Sequence, residues 1–186
     1  GSLLGFLAAT MGGWVDQVLS RFVDVVISIP TLIFALIVLS STGTSILALV
    51  TVIAIIYAMP VYRIARAVAM DIEVMDYVEA ARLRGEGLWW IMRKEILPNA
   101  LTPLAAEFGL RFCFVFLLIS GLSFLGLGLQ PPLADWGAMV RDNGGGIAWG
   151  FMHTLVPATC IALLTIGINL IVDSAVQKAS GLREDH

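Results

Sequence analysis

Apolar positions in this chain of 186 residues do not alternate with polar ones; they run together in blocks parted by short polar stretches. The opening block, residues 1–11, is too short for the roughly 20 residues that cross a bilayer, so it predicts only part of a span. Longer blocks at 23–40, 46–62, 101–125 and 154–172 predict complete spans. Pro30 is expected to kink the first of these, leaving a carbonyl for Ser28, Thr31 or a neighbouring helix to satisfy. The block at 46–62 is rich in β-branched residues, which soluble proteins often place in strands, but its length and lack of charge favour a membrane helix. The uncharged SSTGTS at 40–45 predicts a tight turn, and 126–152, rich in Gly, Pro and Trp, predicts a long loop. The pattern as a whole predicts an all-α, polytopic transmembrane helical bundle.

The longest polar interruption, 63–98, must lie in water, and its most charged part is DYVEAARLRGEGLWWIMRKEILP at 76–98. Glu79, Ala80 and Ala81 are followed by Gly85 and then by Leu97-Pro98. The two alanines favour a helix with a slim surface that another backbone can approach. Gly85 suits the left-handed residue that ends a helix. Glu79 near the start of such a helix and Arg82 and Arg84 near its end complement its dipole. Pro98 would start or kink the following helix. A triplet of this kind is common, and taken alone it reads as part of an ordinary solvated helix-turn-helix linker. The glycine, the L-P and the flanking apolar spans are what favour a docking element.

Composition agrees with a membrane setting. The hydrophobic share is 59% and the charged share 13%, against about 45–50% and about 25% in soluble domains. A net charge of −3 without a basic face gives no sign of nucleic-acid binding. Cys113 and Cys160 lie in apolar runs without metal-ligand spacing and read as core. Glu107 and Arg111, four residues apart in the 101–125 block, share a helix face and could pair. They would line a pathway, or lie shallow and reach the headgroups. Trp89 and Trp90 beside Arg93 and Lys94 suit an interfacial belt, and His153 reads as an interfacial side chain. The G-L-G at 126–128 lacks the third glycine of a dinucleotide fingerprint, and Gly144 to Gly146 lack the Lys of a phosphate loop. Basic residues cluster at 63–98, with Arg21 before and Lys178 and Arg183 after, whereas the opposite loops carry only Arg141. That asymmetry places 63–98 and the C-terminus in the cytoplasm.

The E-A-A-x-x-x-G spacing with its L-P resembles the cytoplasmic EAA loop of permease subunits of bacterial ATP-binding-cassette importers. GGWVDQVLSRFVDVVISIPTLIFAL, LSFLGLGLQPPLADWGAMV and PATCIALLTIGINLIVD resemble the matching stretches of the dipeptide, oligopeptide and nickel branch. The resemblance implies a type I importer permease fold of six spans, N-terminally truncated here so that the first span and part of the second are lacking. It implies a non-catalytic subunit for peptides or a related small solute in the bacterial inner membrane, coupled through Glu79, Ala80, Ala81, Arg82, Arg84 and Gly85 to two ATP-binding-cassette ATPase subunits. ATP and Mg would be bound by those partners and no cofactor by this chain. A second, non-identical permease subunit, an extracytoplasmic solute-binding protein and the lipid bilayer complete the implied partners. Two positions depart from the pattern: Glu95 stands where the general motif has isoleucine, and Ile119 where many members carry an acid. The competing readings are an exporter or ion conduit of the same architecture, with Glu107 and Arg111 in its path, and an intramembrane enzyme. The last lacks a Ser-His pair, an H-E-x-x-H and paired aspartates.

Overall fold

A chain in hydrocarbon must satisfy its backbone hydrogen bonds internally, so apolar blocks of this length become helices. A computed structural model of the protein describes residues 1–130, 132–149 and 152–181. It contains α1 (Ser2–Met11), α2 (Gly13–Ile27), α3 (Thr31–Thr42), α4 (Ile46–Glu73), α5 (Asp76–Leu83), α6 (Leu88–Ile91), a π-helical stretch at Met92–Ile96, α7 (Leu97–Phe124), α8 (Trp136–Asn143) and α9 (Leu155–Gly181). Short 3-10 turns fill Gly144–Trp149 and Met152–Thr154, and no strand occurs among the described residues. Ile46–Glu73, Leu88–Phe124 and Leu155–Ser174 are each long and apolar enough to cross a membrane. The interrupted pair α2 and α3 makes a fourth candidate.

Several boundaries differ from the sequence reading. The 23–40 block is broken rather than merely kinked: α2 ends at Ile27, and Pro30, with ψ 125°, is the cap before α3. A residue that lacks an amide hydrogen and is held extended cannot continue the α2 ladder. The helix that holds the 46–62 block continues unbroken to Glu73 with Pro60 inside it. The next candidate span begins at Leu88, ten residues before Pro98, and passes through the π-helical turn. The 126–152 stretch is not one open loop, because α8 lies within it, capped by Asp135, whose carboxylate accepts the Ala138 amide at 3.1 Å.

The molecule divides into two compact units. The first comprises Gly1–Ile29, Ile55–Phe108 and the last residues of α9. Its core joins Phe6 and Ala9 of α1, Ala65, Ala69 and Ile72 of α4, Val78 and Ala81 of α5, and Ile91, Met92, Ile96 and Ala100 beyond. Close approach of α1 to α4 depends on small residues: a Cβ on Gly5 would lie 2.7 Å from the Tyr62 carbonyl oxygen and 2.8 Å from the Arg66 amide. Gly1, Gly5 and Ala9 recur every fourth residue, the spacing that lets helix backbones touch. A smaller cluster of Ala8, Val23 and Tyr62 packs α2 onto the same helices.

The second unit comprises Pro30–Ala54 and Gly109–Gln177. Here Gly109 faces the Val172 side chain, and the Cys113 thiol donates to the Thr165 carbonyl at 3.7 Å. Gly137 of α8 lies against the Ser120 carbonyl, and Trp136 meets Phe116 edge to face at 6.2 Å between ring centroids. Gly126, at φ 85°, ends α7: its amide donates to Ser123 and that of Leu127 to Leu122. The glycines of the G-L-G therefore turn the chain, and Arg141 Nη1 adds a hydrogen bond to the Ser123 carbonyl at 3.2 Å.

Candidate functional site

The polar stretch that stood out in the sequence folds as a short helix on the surface of the first unit. α5 starts after Met75, whose extended backbone separates it from α4, and opens with Asp76 and Glu79 in its first turn. Acids at the N-terminal end and Arg82 at the other complement the helix dipole. Its end is a Schellman motif: the Gly85 amide donates to the Arg82 carbonyl at 2.9 Å and the Glu86 amide to Ala81 at 3.2 Å. Gly85 has φ 82°, and a Cβ there would meet nothing within 4 Å. Glycine is required by backbone conformation at this position, not by space.

The helix has two unlike faces. Val78 and Ala81 are wholly buried against α4 and the π-helical stretch. Glu79, Ala80, Arg82, Leu83, Arg84 and Gly85 are exposed. Of the two alanines, therefore, Ala80 is open to a partner and Ala81 belongs to the chain's own core. Arg82 Nη2 donates to Glu73 Oε1 at the end of α4, and the Arg84 guanidinium lies over Trp90 at 5.9 Å from the ring centroid. Both contacts fix α5 to its flanking helices.

Sequence reasoning missed the apolar part of this surface. Leu83 is 83% exposed and Val74 81%, beside the exposed Met75 and Tyr77. They add an apolar part to the exposed side of α5 and of the turn before it. The visible signal was a leucine between two arginines, on the helix face opposite Val78. Also missed was a polar strap between α2 and α4. Arg66 Nε and Nη2 donate to the two carboxylate oxygens of Asp16, the second at 2.5 Å, and Ser20 Oγ lies 3.0 Å from the Tyr62 hydroxyl. No spacing rule could pair Asp16 with Arg66 across fifty residues.

The other candidate residues lie elsewhere on α7. Glu107, in the first unit, is 7% exposed, and Arg111, in the second, stacks over Phe114 at 5.7 Å. Cys113 is buried and Cys160 half-buried, both as free thiols. No group of three metal-ligating side chains occurs among the described residues. Arg183, Glu184 and Asp185 lie outside the described residues, as does the side chain of Lys178.

Several helices long and apolar enough to cross a membrane, together with the exposed, charged α5, mark a multi-pass membrane protein. The chain belongs to the family of binding-protein-dependent transport system inner membrane components, whose family model matches residues 1–179. It is similar to a probable D,D-dipeptide transport system permease protein of Escherichia coli strain K12, 34% identical over 174 residues, covering 93% of this chain and 58% of the relative. A glutathione transport system permease protein of Pectobacterium atrosepticum strain SCRI 1043 is 30% identical over 174 residues, with the same coverage of each chain. A di/tripeptide transport system permease protein of Pseudomonas aeruginosa strain UCBPP-PA14 is 34% identical over 174 residues, covering 93% and 57%. The chain spans just under three fifths of the length of these curated relatives.

Proposed function

We propose that this chain is the membrane-spanning permease part of an ATP-driven importer for peptides or a related small solute. Its role is mechanical. α5 seats its outer face, Glu79, Ala80, Arg82, Leu83, Arg84 and Gly85, in a cleft of an ATPase subunit on the cytoplasmic side. Closure of two such ATPase subunits on ATP and Mg moves α5, and the spans pass between outward and inward openings, a shift driven by unequal contacts in the two states. The chain itself is non-catalytic and holds no cofactor. A second, non-identical permease subunit and an extracytoplasmic solute-binding protein complete the assembly.

The observation that carries this reading is the division of α5 into a locked face and an open one. A linker needs neither the buried Val78 and Ala81 nor the bare Leu83. The named transport of dipeptides, glutathione and di/tripeptides by the relatives supports the substrate class.

Cysteine placed at Leu83 should cross-link to the ATPase subunit in the assembled complex, and cysteine at Asp142 should not. Absence of the Leu83 cross-link, or labelling of that cysteine from the outside of intact cells, would refute the docking role. Uptake driven by ATP supplied on the side bearing α5 in oriented vesicles distinguishes import from export.

A further inference from the structure

In the first unit, a groove of about 250 Å³ is lined by Leu3 and Phe6 of α1, Trp89 of α6, Met92 and Arg93 of the π-helical stretch, and Leu97 at the start of α7. Five of the six lining side chains are apolar or aromatic. The sixth is a permanent cation. No acidic side chain lines the groove, and among the described residues Arg93 forms no ion pair. Trp89 is 64% exposed, and Lys94 next to Arg93 is exposed as well.

The position is as telling as the lining. Leu97 opens the long apolar helix and Arg93 lies in the charged stretch just before it, so the groove runs from the polar to the apolar side of that boundary. Tryptophan and arginine at such a boundary match the headgroup level of a bilayer. The π-helical turn matters here because its wider backbone changes the angle between successive side chains, and Met92 and Arg93, neighbours in sequence, both reach the same groove.

A nearby polar cleft offers a useful contrast. It is lined by Ser20, Asp24, Tyr62, Arg63, Arg66 and Ala67, and Arg66 is already paired with Asp16. Of its three charged lining residues, Arg66 is answered from within the chain. Among the described residues the charge of Arg93 is not.

We infer that this groove binds one phospholipid with an anionic headgroup, its acyl chain against Leu3, Phe6, Met92 and Leu97 and its phosphate on Arg93. A guanidinium holds a phosphate through paired N–H donors, and basic pockets between membrane helices on the cytoplasmic side select anionic headgroups. An apolar protein segment would fill the groove but leave the guanidinium unanswered; a free anion would answer the guanidinium but leave the apolar wall bare. The phospholipid meets both.

The test uses the full-length chain in its purified complex, titrated with phosphatidylglycerol or with phosphatidylcholine of the same acyl chains, and counts bound lipids by native mass spectrometry. The expected result is one phosphatidylglycerol retained per chain, bound at least about tenfold more weakly by Arg93→Gln, which removes the paired charge-assisted hydrogen bonds. Lys94→Gln, outside the lining, should retain it unchanged. Leu3→Trp, which fills the groove, should lower retention of both lipids while the complex still assembles. Equal retention of the two lipids by the unaltered protein would mean an unselective annular contact and overturns the inference. So would unchanged retention in Arg93→Gln, or a groove closed by another protein segment in the complete complex.

Discussion

Ala80 and Ala81 are chemically identical neighbours with opposite duties. Ala81 is wholly buried beside Ile72 and Ile91, whereas Ala80 is exposed. Ala81→Leu should therefore overpack the core and cost about 1–3 kcal/mol, read as a lowered unfolding temperature in detergent. Ala80→Leu should leave that temperature nearly unchanged while lowering substrate-stimulated ATPase activity of the complex. The same split applies to Gly85. Its φ of 82° is strained for any residue with a Cβ, so Gly85→Val should cost about 1–2 kcal/mol and reduce uptake more than assembly. Uptake and ATPase coupling that remain intact in Gly85→Val would show that the turn has no part in transmission. The motif was readable in sequence because glycine and alanine are used there for backbone reasons. Which alanine faces inward was not, since that depends on where α4 ends.

At the scale of elements, the apolar blocks announced helices and a membrane setting, and the helical architecture bears this out. Their joints were harder to see. α8 is polar and begins Trp-Gly, a poor helix start by propensity; it forms because Asp135 caps it and Gly137 can rest on the Ser120 carbonyl. Gly137→Val should therefore dislodge α8, detected as increased proteolysis at 132–143 with α9 still protected. The π-helical turn left no signal, since five ordinary helix formers, MRKEI, occupy it. The α1–α4 contact did leave one, the fourfold spacing of Gly1, Gly5 and Ala9, which a short block read only as a partial span conceals. On α2, Asp16→Ala should leave Arg66 without its carboxylate and cost about 1 kcal/mol, the contact being partly exposed. Exchanging the two residues, Asp16→Arg with Arg66→Asp, should restore part of that loss in a double-mutant comparison of unfolding temperatures.

At the scale of the molecule, much of the chain's apolar surface is uncovered. Leu163, Ile166, Leu170 and Ile171 of α9 are exposed, as are Ile37 of α3 and Leu47 of α4. In a soluble protein such surface would aggregate; in a bilayer or against other apolar helices it has a natural solvent. Extraction into detergent without added lipid should therefore shorten the lifetime of the isolated chain more than that of the complex, measured by size-exclusion recovery over time.

α5 has a further implication for how such proteins diversify. Its inner side answers to Ile72, Ile91 and Met92, residues of this chain, while Glu79, Ala80 and Leu83 are exposed. The two sets can drift separately. On the proposed docking role, a handful of outward substitutions would re-address the subunit to a different motor without any refolding, the socket between engine and conduit being only one helix long.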